Sequence, residues 1–392
     1  MLMLRSARAC ALTLSLAAAA ASAQPAALTR AEASDFGRTP EGEAVKLYTL
    51  RNANGMVAKI MERGATVTEL WAPDRSGRLA NVVFGSDKLD TYLSGFNASA
   101  SVIGRVANRI AFGRFTFDGV SYQVITNRGP HHLHGGKKGF ASAVWRGEAL
   151  PPQARAASAR FRHTSRDGDD GFPGTVEVSV TYTLTDANEL WLEYAATTDK
   201  PTPINLTNHA YFNLAGAGAG DVSGTLLWVA ADRTTQVDDL LIPTGAFAEV
   251  KGTPLDFTAP TEIGSRIAQL APPFTGYDHN FVLRAGGKGL ALAGWAYEPQ
   301  SGRALQVLTT EPGMQVFTPK RYFGPDGKPV TDVAALKHNA FCFETQHFPD
   351  AVNHPHFPST ILRPGQTFAS TTVFRFSAQQ EQGAAQRLMQ AR

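Results

Sequence analysis

The stretch Val176–Leu184 reads V-E-V-S-V-T-Y-T-L and decides the fold class. Apolar and polar residues alternate along it, which is the period of a β-strand with one buried face. After a turn at Thr185–Asn188, the segment Leu190–Tyr194 (L-W-L-E-Y) alternates again. Two such segments joined by a short turn predict an antiparallel pair.

The same kind of pattern recurs along the rest of the chain, while helical periodicity is scarce. Short helices are predicted only at Thr261–Leu270 and in the Gln-rich end from Ala378. Between residues 44 and 376 no linker separates two cores, so the chain is predicted to be all-β, a large antiparallel β-sandwich. The further predicted strands are Gly64–Trp71, Asn81–Gly85, Phe115–Phe117, Val120–Val124, Gly224–Ala230, His279–Leu283, Leu290–Glu298, Ala304–Thr309, Gln315–Thr318 and Ser370–Phe376.

Composition narrows the class of protein. Apolar residues make up 43% of the 392 residues and charged residues 18%, which is typical of a globular chain with a large core. The content of 36 Gly and 23 Pro favours a turn-rich β-protein. The formal net charge of +3 comes without a Lys/Arg run, so the sequence argues against a nucleic-acid partner.

Residues 1–23 have the features of a secretory signal peptide. Arg5 and Arg8 supply a positive start, Ala9–Ala21 is a short apolar run, and A-S-A ends at Ala23. The run is too short to span a bilayer as a helix. We therefore expect cleavage after Ala23 and a periplasmic or secreted protein that is not held in the membrane.

The remaining chain divides into three predicted parts. Residues 24–43 are Ala-rich without periodicity and are predicted to be a flexible lead-in. Residues 44–378 form the single β-domain, and 379–392 a C-terminal tail. The mature chain keeps one cysteine, Cys342, in an apolar run typical of a small core residue.

Two residues stand out as acid–base candidates. His209 lies in N-L-T-N-H-A-Y-F-N-L-A-G (205–216), among side chains that form hydrogen bonds without carrying charge. Such a cluster suits a pocket for a neutral ligand rich in hydroxyl groups, and the imidazole adds a proton that moves near neutral pH. Glu344 directly follows the apolar run Phe341–Phe343. A carboxylate in that position is the best candidate for a general base.

Other motifs leave other chemistries with weak support. His132 and His134 would share one side of a strand, so a metal-binding pair is conceivable, but no regular Cys/His spacing accompanies them and we predict no metal. A G-x-S-x-G nucleophile elbow and a G-x-G-x-x-G phosphate loop are both missing from the sequence. No cofactor is predicted.

In this order, the polar motifs resemble the aldose 1-epimerase (galactose mutarotase) family. The similar motifs are G-R-V-A-N-R-I (104–110), L-H-G-G (133–136), N-L-T-N-H-x-Y-F-N-L (205–214), D-H-N-F (278–281), P-G-x-Q (312–315) and E-T-Q-x-x-P-D-A (344–351). Each motif alone is weak, but six in series from about residue 44 to 376 are specific. The resemblance implies a galactose mutarotase-like β-sandwich.

The resemblance also implies roles for individual residues. His209 corresponds to the general acid and Glu344 to the general base of the family. His134 is implied to bind sugar hydroxyls and to help polarise the ring oxygen. The implied reaction interconverts the α and β anomers of free hexoses such as glucose and galactose, without cofactor or metal. The positions implied to hold sugar hydroxyls are Asn108, Arg109, Asp278 and Gln315.

Two alternatives stay open at this point. The first is an epimerase-like enzyme for a modified or phosphorylated sugar, for which Lys320 and Arg321 are the only sequence hint. They begin a charged loop, 320–339, that we expect to frame one side of the site. The second is a non-catalytic sugar-binding protein, which would not need both His209 and Glu344. The expected partner is a monosaccharide, and the expected assembly is a monomer or weak dimer.

Overall fold

The computed structural model describes residues 28–94, 99–151, 153–319, 338–380 and 383–390. These residues form the α-helices α1 (Leu89–Leu93) and α2 (Ala384–Gln390), and 3-10 turns at Ala111–Gly113, Asp169–Gly171, Ile263–Ser265, Ile267–Gln269 and Ala351–Asn353. The strands that they form are β1 Ala31–Arg38, β2 Ala44–Arg51, β3 Val57–Met61, β4 Thr66–Pro73, β5 Leu79–Asn81, β6 Val102–Ile103, β7 Arg109–Ile110, β8 Arg114–Phe117, β9 Val120–Gln123, β10 His132–Leu133, β11 Arg146–Ala149, β12 Ala156–Ser165, β13 Val176–Thr185, β14 Glu189–Thr198, β15 Thr202–Pro203, β16 Thr207–Asn208, β17 Leu226–Val229, β18 Ala231–Val237, β19 Pro243–Glu249, β20 Thr261–Glu262, β21 Asp278–Leu283, β22 Ala291–Tyr297, β23 Arg303–Thr309, β24 Gly313–Phe317, β25 Cys342–Gln346, β26 Ile361–Leu362 and β27 Phe368–Ala378.

The largest sheet has nine strands in the order β11-β12-β13-β14-β27-β23-β22-β17-β20. The predicted pair lies within it: β13 and β14 are antiparallel, with Val180 opposite Tyr194. Alternate side chains of β13, from Val176 to Leu184, are buried as the sequence period requires. The antiparallel β-sandwich predicted from the sequence is confirmed.

A five-stranded sheet, β1-β2-β3-β4-β5, covers one face of the nine-stranded sheet. Tyr48 of β2 meets Phe161 of β12 edge to face at 5.2 Å, and the Tyr182 hydroxyl of β13 donates to the Ala65 carbonyl at 2.8 Å. Both sheets contribute to one hydrophobic core that also includes Phe341 and Phe374. Burial of this shared apolar surface is what holds the layers together.

A second five-stranded sheet, β19-β18-β21-β24-β25, carries the polar residues of interest. Its edge strand β25 connects to the 205–216 stretch, because Phe212 and Phe341 exchange backbone hydrogen bonds of 2.7 and 3.0 Å. This link holds the histidine stretch beside the sheet end.

The prediction of a flexible lead-in over residues 24–43 is wrong for its second half. Residues 31–38 form strand β1, which pairs with β2 from Ala31 opposite Leu50 to Arg38 opposite Ala44. The strand is an exposed edge strand, so its sequence lacks the alternation that burial imposes. Backbone pairing holds it, together with a 2.8 Å ion pair from Arg30 to Asp186.

The tail predicted for 379–392 contains helix α2, in agreement with the helix expected in the Gln-rich end. Ala384 and Leu388 are buried in a cluster with Trp295, and Gln306 Nε2 donates to the Leu388 carbonyl at 2.8 Å. The helix predicted over 261–270 is wrong. That segment forms β20 and two 3-10 turns closed by i→i+3 bonds such as Gln269 N–H to Arg266 C=O.

Three predictions lie outside the described residues. These are the signal peptide with its cleavage site, the first residues of the lead-in, and nearly all of the 320–339 loop, including Lys320 and Arg321. Within the described ranges no helix is both long and apolar enough to cross a membrane.

Candidate active site

One wall of the site is a row of polar residues across three neighbouring strands. Asn280 of β21 lies opposite Gln315 of β24, and Gln315 lies opposite Glu344 of β25. Directly opposed residues share a sheet face, as do residues two apart, so Asp278 joins the row. The register therefore collects these residues from distant parts of the chain.

His209 reaches this wall because its backbone is fixed on both sides. Its N–H donates to the Ser101 carbonyl at 3.1 Å, and its own carbonyl accepts from Ala100 N–H at 2.8 Å. The imidazole Nε2 lies 3.6 Å from Glu344 Oε1. His209 is 5% exposed and Glu344 2% exposed, so an imidazole and a carboxyl group face each other away from bulk water.

His134 lies on a third side of the site, directly after β10, which pairs with β7. Its N–H donates to the Asn108 carbonyl at 2.9 Å, and Asn108 N–H donates back to His134 Nδ1 at 3.2 Å. Both residues have positive φ, 52° and 61°, an uncommon conformation for non-glycine residues. The ring centroid of His134 lies 5.2 Å from that of His209.

The glycine after His134 is required by a close backbone approach. Gly135 has φ 79°, and a Cβ atom there would lie 1.7 Å from the Gly104 carbonyl oxygen. No side chain fits at that separation. The L-H-G-G motif thus lets the chain turn against the 104–110 segment and present His134.

A charged network completes the site at the other end. Arg109 Nη2 lies 3.5 Å from Asp278 Oδ2, and Arg109 Nη1 donates to Asn108 Oδ1 at 3.3 Å. Gln315 Nε2 donates to Asp278 Oδ1 at 2.5 Å. The structure therefore brings together all the residues predicted for the site: Asn108, Arg109, His134, His209, Asp278, Gln315 and Glu344.

Burial sets the protonation of the facing pair. It raises the pKa of Glu344 well above its usual value, and the nearby Asp278 carboxylate adds to that rise. Burial also lowers the pKa of His209 to about 4. The pKa of His134 is likewise lowered by burial and by the neighbouring His209 and Arg109. Both members of the His209–Glu344 pair are thus driven toward their neutral forms.

Several buried polar atoms face the site without a hydrogen-bond partner in the described residues. They are Glu344 Oε2, Gln315 Oε1 and Asn280 Oδ1. Buried polar groups are normally paired, so such a cluster indicates a polar ligand. Two amide oxygens and a carboxyl oxygen suit a ligand that carries several hydroxyl groups.

The donor set fits a metal ion poorly. Ligand atoms of His134, His209 and Glu344 lie within 4.8 Å of one another. However, His134 Nδ1 accepts a hydrogen bond from Asn108, so the neutral ring carries its proton on Nε2 and neither nitrogen has a free lone pair. The ring of His132 belongs elsewhere, with Nδ1 2.8 Å from the Ile125 carbonyl.

We predict that metal removal leaves activity unchanged. Dialysis against a chelator should alter kcat by less than about twofold, because a His134 ring protonated on Nε2 is not a metal ligand. Activity lost on chelation and restored by one divalent ion would contradict this reading of the site.

Asp350 is a supporting residue whose role sequence reasoning missed. It was part of the E-T-Q-x-x-P-D-A motif without an assigned function. Its N–H donates to the Arg109 carbonyl at 3.0 Å, and its Oδ1 accepts from Ala111 N–H at 3.0 Å. Asp350 therefore fixes the backbone that presents Arg109.

Replacing Asp350 by alanine should loosen Arg109 and weaken sugar binding. We expect KM to rise about tenfold while kcat changes less, since Arg109 would bind hydroxyl groups that take no part in the bond changes and would hold substrate and transition state about equally. Steady-state kinetics measure both constants. The control is Asp118→Ala, at an exposed carboxylate that pairs with Arg363, and it should change neither constant. An unchanged KM in Asp350→Ala would contradict the role.

Fold and site together define a class: a large antiparallel β-sandwich with a buried carboxyl–imidazole pair in a polar pocket. The family model for aldose 1-epimerase matches residues 46–375. The chain belongs to the aldose 1-epimerase family, as the motif resemblance predicted.

Known proteins similar to this chain come from animals and bacteria. Galactose mutarotase from Bos taurus is 41% identical over 342 residues, covering 87% of this chain and 97% of that protein. Aldose 1-epimerase from Escherichia coli (strain K12) is 35% identical over 346 residues, with the same coverages. A solved aldose epimerase homologue from C. elegans has a TM-score of 0.76 and 31% identity, covering 86% of this chain and 99% of that one.

Proposed function

We propose that this chain is an aldose 1-epimerase, an isomerase that interconverts the α and β anomers of free hexoses such as glucose and galactose. The observation that carries the proposal is the buried pair of His209 Nε2 and Glu344 Oε1, 3.6 Å apart. Anomer exchange needs one proton removed and one supplied, with no redox step. Membership of the family supports the same reaction.

In the proposed mechanism Glu344 is the general base and His209 the general acid. Glu344 accepts the proton of the C1 hydroxyl, the C1–O1 bond becomes a carbonyl and the C1–O5 bond breaks. His209 gives its proton to O5, which leaves the open-chain aldehyde. After rotation about C1–C2, O5 attacks the other carbonyl face. The O5 proton then returns to His209, and Glu344 gives its proton back to O1, so both residues regain their starting forms.

His134 and the Arg109–Asp278 pair position the sugar in this mechanism. His134 carries its proton on Nε2, so it is a hydrogen-bond donor that can polarise the ring oxygen. Arg109 and Asp278 are charged, and their hydrogen bonds to hydroxyl groups are strong and directional. Asn108 and Gln315 add amide groups to the same set. Holding the reacting atoms in register accounts for much of the rate in such a site.

The protonation of the pair predicts the pH profile. The reaction needs one titratable proton shared by the pair. It must lie on His209, which is then charged, so that the Glu344 carboxylate is free to accept a proton. Below about pH 4 the pair binds a second proton, because His209 becomes charged while Glu344 stays protonated, and activity should fall. Above the raised pKa of Glu344 the pair loses its remaining proton, and activity should fall again. We therefore expect a broad plateau of kcat/KM against pH. The apparent pKa values at its two ends describe the His209–Glu344 pair as a unit and not either residue alone.

This profile is measured as kcat/KM against pH after subtraction of the spontaneous rate. Loss of activity on acidification from about pH 7 to 6, the usual histidine range, would contradict the assignment.

The direct test of the proposed function is polarimetry of freshly dissolved α-D-glucose and α-D-galactose. With the protein, rotation should reach the same final value faster than without it. A folded protein that accelerates neither sugar would reject the proposal. The two rates also rank the sugars.

A phosphorylated substrate has less support. Within the described part of the site the one cation, Arg109, lies 3.5 Å from Asp278, which offsets its charge. A phosphate group favours unpaired cations. A role in binding alone is also less favoured, because it gives no reason to keep the Glu344 carboxyl group buried beside His209.

We also propose that the protein is exported and cleaved after Ala23, on the strength of its N-terminal sequence. Fractionation followed by N-terminal sequencing should find a periplasmic or secreted chain that starts at Gln24. Uncleaved protein in the cytoplasm would refute this.

We propose a monomer or weak dimer, which size-exclusion chromatography with light scattering tests.

A further inference from the structure

His209 lacks the hydrogen bond that orients most functional histidines. A working imidazole is usually fixed by a partner on its second ring nitrogen. His209 Nδ1 is buried and no other described residue forms a hydrogen bond with it, although the ring interacts with the backbone of its own residue. Nε2 faces Glu344, so some other contact must set the plane of the ring.

Two aromatic side chains supply that contact. The Tyr211 ring stacks on the imidazole with centroids 4.8 Å apart and an interplanar angle of 7°. Phe317 meets both rings edge-on, with centroids 6.0 Å from His209 and 6.2 Å from Tyr211. A parallel ring on one face and a perpendicular ring beside both restrict rotation of the imidazole about its Cβ–Cγ bond.

The backbone makes this stack rigid. Tyr211 follows His209 by two residues, so in extended chain their side chains share a face. His209 is fixed to Ala100 and Ser101, as described above, and the Tyr211 carbonyl accepts from Phe84 N–H at 3.0 Å. Phe317 belongs to β24, two residues after Gln315, which ties the stack to the polar wall of the site.

We propose that Tyr211 is a positioning residue that orients the His209 imidazole by stacking, in place of the usual hydrogen bond. This inference rests on the proposed function and adds to it. The stack aims Nε2 at the sugar ring oxygen, and the electron-rich face of Tyr211 stabilises the imidazolium that His209 must form. The other charged or titratable groups facing His209 are Glu344 and His134, with Arg109 and Asp278 beyond them.

Three variants separate stacking from packing and from the hydroxyl group. Tyr211→Phe keeps the ring, Tyr211→Leu keeps most of the volume, and Tyr211→Ala removes both. We expect kcat of the Phe variant within about twofold of wild type, and kcat of the Leu and Ala variants about 10–100-fold lower with a much smaller change in KM.

The matched control is Tyr122→Leu. Tyr122 is also half-buried and stacked, 4.8 Å from Phe117 at 18°, but lies on the β8–β9 hairpin. The Tyr122→Leu variant should have the kcat of wild type. A Leu variant as active as the Phe variant, or a loss confined to KM, would overturn the inference.

Nitrogen NMR of the imidazole gives a readout that does not depend on activity. The pKa of His209 should fall in Tyr211→Leu relative to wild type and stay unchanged in Tyr211→Phe. Equal values in all three proteins would overturn the role of the stack. If wild type proved inactive, the proposed function would fail, while this titration would still decide how the ring is held.

Discussion

Glu344→Gln is expected to lower kcat/KM for mutarotation by about 10²–10⁴-fold, the usual contribution of a general base. Glutamine has nearly the same shape as glutamate, but its amide group cannot accept the proton of the C1 hydroxyl. Because burial raises the pKa of the Glu344 carboxyl group, its presence costs stability. The melting temperature should therefore stay the same or rise.

The matched control for this variant is Glu298→Gln. Glu298 is another buried carboxylate, 8% exposed, whose oxygens accept the N–H groups of Gln300 and Ser301 at 2.8 and 2.7 Å. The Glu298→Gln variant should be less stable than wild type and should keep a normal kcat. Near-normal activity in Glu344→Gln would remove Glu344 from the mechanism.

His209→Gln is expected to lower kcat by a similar factor, about 10²–10⁴-fold, with a smaller change in KM. The amide still donates a hydrogen bond toward the sugar ring oxygen, but it cannot transfer a proton when the C1–O5 bond breaks. The initial rate of rotation change measures the loss.

His163→Gln is the control for His209→Gln, because His163 lies in β12 against Phe140 and Trp145. It should keep normal kcat. If His209→Gln retained wild-type kcat, His134 would become the candidate acid, and His134→Gln would then have to show the large loss.

The sequence predicted those parts of the fold in which burial imposes a period. β13 and β14 alternate because one face of each is in the core. Strand β12, Ala156–Ser165, was missed although it lies between β11 and β13. Its sequence A-A-S-A-R-F-R-H-T-S holds three alanines, a residue of low strand propensity, and lacks a clear apolar alternation. Its place in the sheet follows from pairing with β13.

The site was predicted in its residues but not in its geometry. Motifs in a familiar order identified His209 and Glu344, yet nothing local in the sequence places these two side chains 3.6 Å apart. That distance follows from the Phe212–Phe341 backbone pairing. Tyr211 lies two residues from His209 in the sequence, but its parallel stacking on the imidazole depends on tertiary contacts. The hydrogen bond between Asp350 and the Arg109 backbone also depends on tertiary contacts.

The most direct measurement of the central claim is magnetisation transfer between the anomeric protons of an equilibrated sugar solution. At equilibrium the α:β ratio cannot change, so any added transfer reports enzyme-driven ring opening and closure. The account predicts faster α–β exchange with wild-type protein, an unchanged ratio, and exchange at the spontaneous rate with Glu344→Gln. Folded wild-type protein that adds no exchange for either glucose or galactose would contradict it.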